Sequence, residues 1–553
     1  MSTRETERIK VFSLGGAGEV GKNMYVLETN SQIFIMDAGL MIPADEMLGI
    51  DMVIPDISYL VEKKEKVKGI FLTHGHKENI GGLPFVLRKL SVPVYGTKLT
   101  LALAKEELED EDLTLNLIEI NHHTTLSFDQ VEVSFFRTTH SIPDSIGLIF
   151  DTPQGAIVHT GDYKFDQTSI GIYGSDIDKM AGIGNKGVLC LLSDSINAER
   201  PGYSGSENEV GQEINKEFFK TEGRIIVATY ATNLQRIQYI IQAAKESNRK
   251  VVCAGHKLAK IIEMAQKLDY LSIPEETIIH WNEASKFSDS EIAIIVSSHQ
   301  GEPVTVLSKL AKGTHKQVQI KAGDTVIVAA EPTPATEVSI ARSVDLLYRT
   351  GVNVIYGYLK IHVSGHGNQE DIKFMLNLMK PKYLLPVNGE FRMQKAHSKV
   401  AQSLGMSENQ IFILEKGEVI DFINQKATYG PKINAGNVLI DGLGVGDVGN
   451  IVLRDRRLLS QDGILVVVVT LSKNRRELLA GPEIISRGFV YVRESEKLLV
   501  DVTNVVNDIM KKCIQDQVVD WTSLKISIRD SLNQYIYEKT KRRPMILPII
   551  MEA

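Results

Sequence analysis

The sequence predicts a mixed α/β protein of several domains that ends in a small α+β domain, and three observations predict it. First, 553 residues far exceed one typical domain of ~100 to 200 residues. Second, residues 1–206 alternate short β-rich runs with turns, among them IKVFSLGG, QIFIMDAG, KGIFLTHG, VEVSFFRTTHS, GAIVHTGD and GVLCLLSDS, a pattern that reads as a sheet-rich layer. Third, from about Glu207 strands alternate with helical stretches, as in RIIVATYA, NLQRIQYIIQAAKES, KVVCAGH and KLAKIIEMAQKL. Alternating βα units argue for a parallel sheet with helices on its faces.

Each part can be justified in chain order. Residues 1–206 are expected to hold few helices, the clearest following Gly82. Residues 207–364 form the βα domain, which continues through AIIVSSHQGEP, DTVIVAAEPTP and VNVIYG. Residues 365–425 return to a strand, helix, strand rhythm ending in KYLLPVNGE and are assigned back to the first domain. The Gly-rich stretch 426–449 reads as a linker with some strand content. Residues 450–553 combine GILVVVVTL and GFVYVRE with helices near 497–517 and 521–538 and a last strand, PMILPIIMEA.

Composition excludes several classes. Hydrophobic residues at 43% and charged residues at 24% are ordinary for a globular chain and leave little room for long disorder. Sixty-two Lys and Arg against 69 Asp and Glu give a net charge of −7, so any nucleic-acid binding must use local basic patches. Cys190, Cys253 and Cys513 are far apart and odd in number, which argues against a disulfide framework or a CxxC metal site and for a reducing cytoplasm. No signal-peptide core opens the chain, and no run of about 18 apolar residues occurs, so no membrane association is expected.

The strongest chemical signal is THGHKEN, residues 73–79, just after the strand GIFL. Two histidines at i and i+2 in a strand-end turn can aim imidazoles at one point, as a divalent transition metal requires. The arrangement recurs: His140 follows VEVSFFRTT, Asp162 follows AIVHTG and Asn388 follows YLLPV. Polar residues at several strand ends can converge on one sheet edge.

HGHKEN, THSIPDS, HTGDYKFD, SDSINAERPG, HVSGHG and PVNGEFRM, in this order, resemble the motif set of ribonuclease J, a nuclease of metallo-β-lactamase fold carrying a β-CASP insertion. GGAGEVGKNMYV near the start, and SRGFVYVRE and KRRPMILPIIME near the end, extend the resemblance over nearly the whole chain. It implies an αββα sandwich with an inserted parallel-sheet domain and a small C-terminal α+β domain. It also implies metal ligands at His74, His76, His140 and Asp162, the last bridging two ions and taking part in catalysis. Where the family has Asp and His in HxHxDH, this chain has Glu78 and Asn79, and where it has His in PVHGE, this chain has Asn388. These departures fall on the second ion's ligands. Asn offers a neutral, weak, hard oxygen in place of imidazole nitrogen, and Glu78 is one methylene longer than Asp. The expectation is at most one ion per chain, Zn or Mn, whereas full two-metal hydrolysis uses paired ions to activate water and to stabilise the leaving oxygen.

The resemblance places His362, Val363, Ser364, Gly365 and His366 at the nucleotide-binding loop, where loop amides and Ser364 can cradle a phosphate while His366 donates a hydrogen bond or proton. Glu337 falls at the acidic β-CASP motif, beside replaced residues Pro334, Ala335 and Thr336. His299 reads as a tolerated turn histidine, and His122 and His123 as an exposed turn. Asp37 is either a turn cap or a group orienting a metal-bound histidine. GGAGEVG lacks the βαβ unit of a dinucleotide site. The basic clusters 454–457, 473–476 and 539–543 read as solvated faces that could also meet RNA or a partner.

The leading functional reading resembles a degenerate second paralogue of Gram-positive bacteria in that family. It would bind RNA with a 5′-monophosphate end, assemble with an active paralogue through its C-terminal domain as a homodimer or hetero-oligomer, and contribute to RNA maturation and decay with weak or no turnover. The alternative is an independently active 5′-to-3′ exoribonuclease and endoribonuclease. Action on DNA is the weaker third reading, because the match is to the RNA branch.

Overall fold

The structure, a computed structural model, describes residues 7–553 apart from 44–46, 110, 170, 299–300, 333–335, 358–359, 473–476, 491–494 and 519. His299, Pro334, Ala335, the basic run 473–476 and the end of GFVYVRE therefore lie outside the described residues. The chain forms two compact units, one of Met1–Ile42 with Val53–Val438, the other of Pro43–Met52 with Leu439–Ala553.

The larger unit contains two sheets packed face to face. In the eight-stranded sheet, Arg8–Gly15 sits centrally between Val419–Ile423 and Met24–Glu28, and the order continues outward through Ile33–Met36 and Val67–Phe71. The six-stranded sheet runs Tyr383–Val387, Val188–Asp194, Gly155–His159, Ile146–Thr152, Val131–Arg137 and Thr125–Phe128. Strands buried on both faces read as near-continuous apolar runs, as Ile33–Met36 and Val188–Asp194 do. Between the sheets Phe34, Phe71 and Phe150 meet with centroids 5.5 to 6.1 Å apart, a spacing suited to offset or edge-to-face rings.

Helices cover the outer faces. Lys98–Glu107 buries Leu99, Leu103 and Ala104 in the core behind the first sheet. Ile177–Lys186, Gln369–Met379 and Phe391–Ser403 pack Met180, Ile183, Met375 and Ala401 behind the second. The result is the α/β/β/α layering that the resemblance implies. Residues 1–206 hold more helix than expected, since Ser58–Glu62, Lys98–Glu107 and Ile177–Lys186 are helical. Leu99, Leu101 and Leu103 repeat every second residue, so no helical period announces that segment and packing decides its state.

Five strands, Lys250–Ala254, Ile292–Val296, Ile225–Ala228, Thr325–Val328 and Asn353–Ile355, form an all-parallel sheet in that order. Helices Leu234–Glu246 and His256–Lys267 bury apolar residues on one side, and Val304–Ala311 and Glu337–Arg349 on the other. This is the βα pattern read from Glu207 onward. Asn233 caps Leu234–Glu246, its side chain accepting from the Arg236 amide.

In the smaller unit Ile464–Leu471 lies between Leu478–Arg487, antiparallel, and Met545–Glu552, parallel. Helices Glu496–Gln515 and Trp521–Thr540 cover one sheet face, burying Val506, Met510, Ile528 and Leu532 against Val467, Val469 and Ile550. Among the described residues no helix is long and apolar enough to cross a membrane.

Candidate active site

The site forms where strands end. Val131–Arg137, Gly155–His159, Val188–Asp194 and Tyr383–Val387 run in one direction within their sheet. Their carboxyl ends deliver His140, Asp162, Asp194 and Asn388 to one edge. Val67–Phe71 of the facing sheet delivers His74 and His76. The glycine loop 15–21 bridges the PVNGE segment, Glu19 to Gly389 and Gly18 to Glu390. A cavity of about 410 Å³ opens here, lined by His76, Glu78, His140, Asp162, His366 and Asn388 among others.

Four of the expected ligands converge. His74 Nε2 lies 3.1 Å from His76 Nδ1 and 3.5 Å from Asp162 Oδ2. His140 Nε2 lies 3.2 Å from His76 Nδ1 and 3.9 Å from Asp162 Oδ2. Tetrahedral donors around an ion with metal–nitrogen bonds of ~2.0 to 2.1 Å would stand about 3.3 Å apart, so these separations fit one divalent cation.

The protonation states suit the same ion. Burial and the neighbouring imidazoles hold His74 and His140 well below the usual histidine range, and burial pushes His76 down to about 3. Three neutral imidazoles thus offer lone pairs. His140 Nδ1 donates to the Gly365 carbonyl at 2.7 Å, which leaves Nε2 as the ligand atom. Thr73 Oγ1 donates to Asp37 at 2.9 Å and sits 3.0 Å from His74 Nδ1, which turns His74 Nε2 toward the cluster. Asp37 thus caps the Thr73 backbone N–H and also reaches His74 through Thr73 Oγ1. Asp162 is raised to about 7 by burial and by the neighbouring charge of Asp194.

The positions expected to serve a second ion look different. Asn79 donates its amide N–H to Asp37 Oδ2 at 2.8 Å, and Asn388 donates to Asp162 Oδ1 at 2.9 Å. The Asn388 N–H occupies the direction in which Asp162 Oδ1 would meet a second cation. Glu78 lines the cavity but joins no cluster of three possible ligands among the described residues.

His366 joins the cluster, with a ring nitrogen within 4.8 Å of ligand atoms of both His140 and Asp162. Its Nδ1 lies 2.6 Å from Asp194 Oδ2. Burial opposes the charge, but the charge and hydrogen bond of Asp194 outweigh it and raise His366 to about 9. His366 is thus a cation at neutral pH, able to donate a hydrogen bond or a proton. Ser364 Oγ accepts from the His366 amide at 3.2 Å, and Val363, Ser364 and Gly365 line the cavity. Gly365 is required by close approach: a Cβ there would stand 2.7 Å from the His140 ring. His362 is half-buried and is not part of the cavity wall; Glu337 is exposed at the start of Glu337–Arg349 and is not part of it either.

Two participants are not singled out in the sequence, although Asp194 lies within SDSINAERPG. Asp194 ends a strand as Asp162 follows one, so the strand-end rule could have found it. Arg236, 1% exposed, pairs with Glu207 at 2.5 Å and donates to the Ala329 and Val363 carbonyls. Its place beside Leu234 and Ile237 marks it as buried but not what it meets.

Comparison with known proteins gives four matched regions. Residues 17–181 match the metallo-beta-lactamase superfamily, 222–347 the ribonuclease J beta-CASP domain, 351–414 the Zn-dependent metallo-hydrolase RNA specificity domain, and 451–553 the ribonuclease J C-terminal domain. The chain is 54% identical to ribonuclease J2 of Bacillus subtilis, covering 100% of both chains. It is 47% identical to ribonuclease J 2 of Staphylococcus aureus, covering 99% of each. A crystal structure of an Enterococcus faecalis protein of unknown function shares the fold, with a TM-score of 0.53 and 15% identity over 75% of this chain and 100% of that one. Matches in this order, with full-length identity of this size, leave one conclusion: the chain belongs to the ribonuclease J family.

Proposed function

We propose that this ribonuclease J-type chain acts mainly as an RNA-binding and structural partner of an active paralogue in RNA maturation and decay, with weak or absent turnover of its own. One observation carries the reading: Asn388 presents an N–H donor to Asp162 Oδ1, where a second cation would need an electron pair, and Asn79 gives its N–H to Asp37. His74, His76, His140 and Asp162 would hold a single ion, Zn or Mn, which when bound supplies Lewis acidity and charge neutralisation but no paired clamp on both oxygens of the displacement. The chain's own residues would hold a 5′-monophosphate through loop 362–366, with His366 as the charged contact. Residues 1–206 with 365–425 would carry the metal chemistry and 207–364 the opposing RNA-facing wall. Three free cysteines support a cytoplasmic setting.

Anomalous scattering from crystals grown with Mn²⁺ should show one ion per chain, and the purified chain should cleave 5′-monophosphorylated RNA far more slowly than an active paralogue. Two fully occupied ions about 3.5 to 4 Å apart, with matching turnover, would overturn the proposal. The alternative, an independently active exo- and endoribonuclease, is favoured by the His366–Asp194 pair, which is poised for proton donation.

Assembly is supported by the smaller unit. In Met545–Glu552, Ile546 and Ile550 are buried, but Leu547, Ile549 and Met551 are 46%, 39% and 48% exposed on the other face. The register places Leu547 beside Val466 and Val466 beside Ile485, itself 38% exposed, so an apolar stripe crosses all three strands. Stripes of this kind mark contact surfaces. Changing Leu547→Glu with Ile549→Glu in the full chain should convert dimers to monomers by light scattering; an unchanged oligomer would refute this interface.

A further inference from the structure

Two asparagines 309 residues apart (79 and 388) would be expected to sit idle if they were only remnants of lost ligands. Each is instead wired into the ligands of the remaining cluster. Asp162 faces His74 and His140 with Oδ2 and accepts from Asn388 Nδ2 with Oδ1. Asn388 itself is held rigidly: its backbone N–H donates to Tyr25 Oη at 2.8 Å, and Tyr25 Oη donates to the Gly16 carbonyl at 2.8 Å. Asn388 has a φ of +50°, a conformation that Asn tolerates better than most residues. Among the described residues its buried Oδ1 meets no partner, so the bond to Asp162 is what fixes the direction of the amide.

The second asparagine acts through a relay. Asn79, 1% exposed, donates to Asp37 Oδ2 at 2.8 Å. Asp37 also accepts from the Thr73 amide at 2.8 Å and from Thr73 Oγ1. Thr73 Oγ1 in turn meets His74 Nδ1 at 3.0 Å. A ligand whose far side is hydrogen-bonded is fixed in rotamer and tautomer, and losing such a partner typically costs ~10 to 100-fold in metal affinity.

We propose that Asn79 and Asn388 are positioning residues that rebuild a two-ion site into a one-ion site, their amide N–H groups holding Asp162 and, through Asp37 and Thr73, His74 in the geometry that binds a single divalent cation. The inference rests on the one-ion reading above. At Asp162 the Asn388 amide takes the place of the second cation: a dipole stands where a charge would, which leaves the first set of ligands aligned and gives the attacked phosphate no second ion.

Titration of the metal-free full chain with Co²⁺, followed by visible absorbance, tests it. Asn388→Gly removes the amide while keeping the positive φ, and Asn79→Ala removes the other donor. Each should weaken Co²⁺ binding about 10 to 100-fold without lowering the melting temperature of the metal-free chain to match. Asn388→His, whose Nδ1 is bonded to Cγ as the Asn nitrogen is, should restore the affinity of the first equivalent toward wild type. One equivalent bound equally tightly by wild type, Asn388→Gly and Asn79→Ala would overturn the inference alone. Failure of the wild-type chain to bind Co²⁺ would overturn the one-ion reading and this inference with it. Should Asn388→Gly not fold, the Asn79→Ala titration decides between these outcomes.

Discussion

Changing Glu78→Asp, Asn79→His and Asn388→His together is expected to raise the cleavage rate of 5′-monophosphorylated RNA in Mn²⁺ by about 100-fold or more. A second ion contributes several kcal/mol of transition-state charge stabilisation, and each 1.36 kcal/mol is about tenfold in rate. The three changes replace the two amide donors with imidazole nitrogen and shorten the carboxylate to the family's length. The rest of the site is already in place: His74, His76, His140 and Asp162 converge, and His366 is cationic beside Asp194. The measurement is a single-turnover assay alongside a metal count. A variant that binds two ions yet cleaves no faster would show that the deficit lies elsewhere, and a wild-type chain already as fast as the variant would establish the alternative reading.

Replacing Ser364 and His366 by Ala together is expected to separate RNA binding from chemistry. Hydrogen bonds to charged groups are worth about 1.5 to 3 kcal/mol, and about 1.4 kcal/mol is tenfold in affinity. Affinity for 5′-monophosphorylated RNA should therefore fall about 10 to 100-fold, whereas a 5′-hydroxyl strand should lose little. The contrast follows from the cation at His366, whose hydrogen bond to Asp194 keeps it charged at neutral pH, and from the Ser364 hydroxyl that braces the loop. Equal losses for both strands in a fluorescence titration would mean that the loop grips the sugar-phosphate chain rather than its 5′ end.

Much of the fold was legible because strands and helices write their periods locally. The parallel sheet after Glu207 could be read from alternating apolar runs and amphipathic stretches, and the helices of the C-terminal unit, Glu496–Gln515 and Trp521–Thr540, lie within a few residues of their expected bounds. Lys98–Glu107 was not legible, since LTLAL carries no helical period and its state was set by the core it packs against. In the site, His74, His76, His140 and Asp162 were visible as polar residues at strand ends. Asp194 occupies the same kind of position, but its partner His366 lies 172 residues away, and no local pattern encodes a pair at that distance.

By itself, the sequence determined the chemistry on offer: which residues carry nitrogen or oxygen donors, that positions 79 and 388 hold amides, and that the last strand is too apolar to be a solvated tail. Only the tertiary structure decided what those groups do. An amide can turn its oxygen or its N–H to a neighbour, and the choice at Asn388 was made by Asp162, brought within 2.9 Å by the parallel pairing of strands that follow Gly155 and precede Asn388. The final strand likewise alternates faces by its own geometry, but which face stayed uncovered was decided by the two helices that pack on Ile546 and Ile550 and leave Leu547, Ile549 and Met551 outside. Residue type and spacing are local properties of a chain, whereas the partner that satisfies a buried donor or covers an apolar face is supplied by whatever element the fold brings beside it.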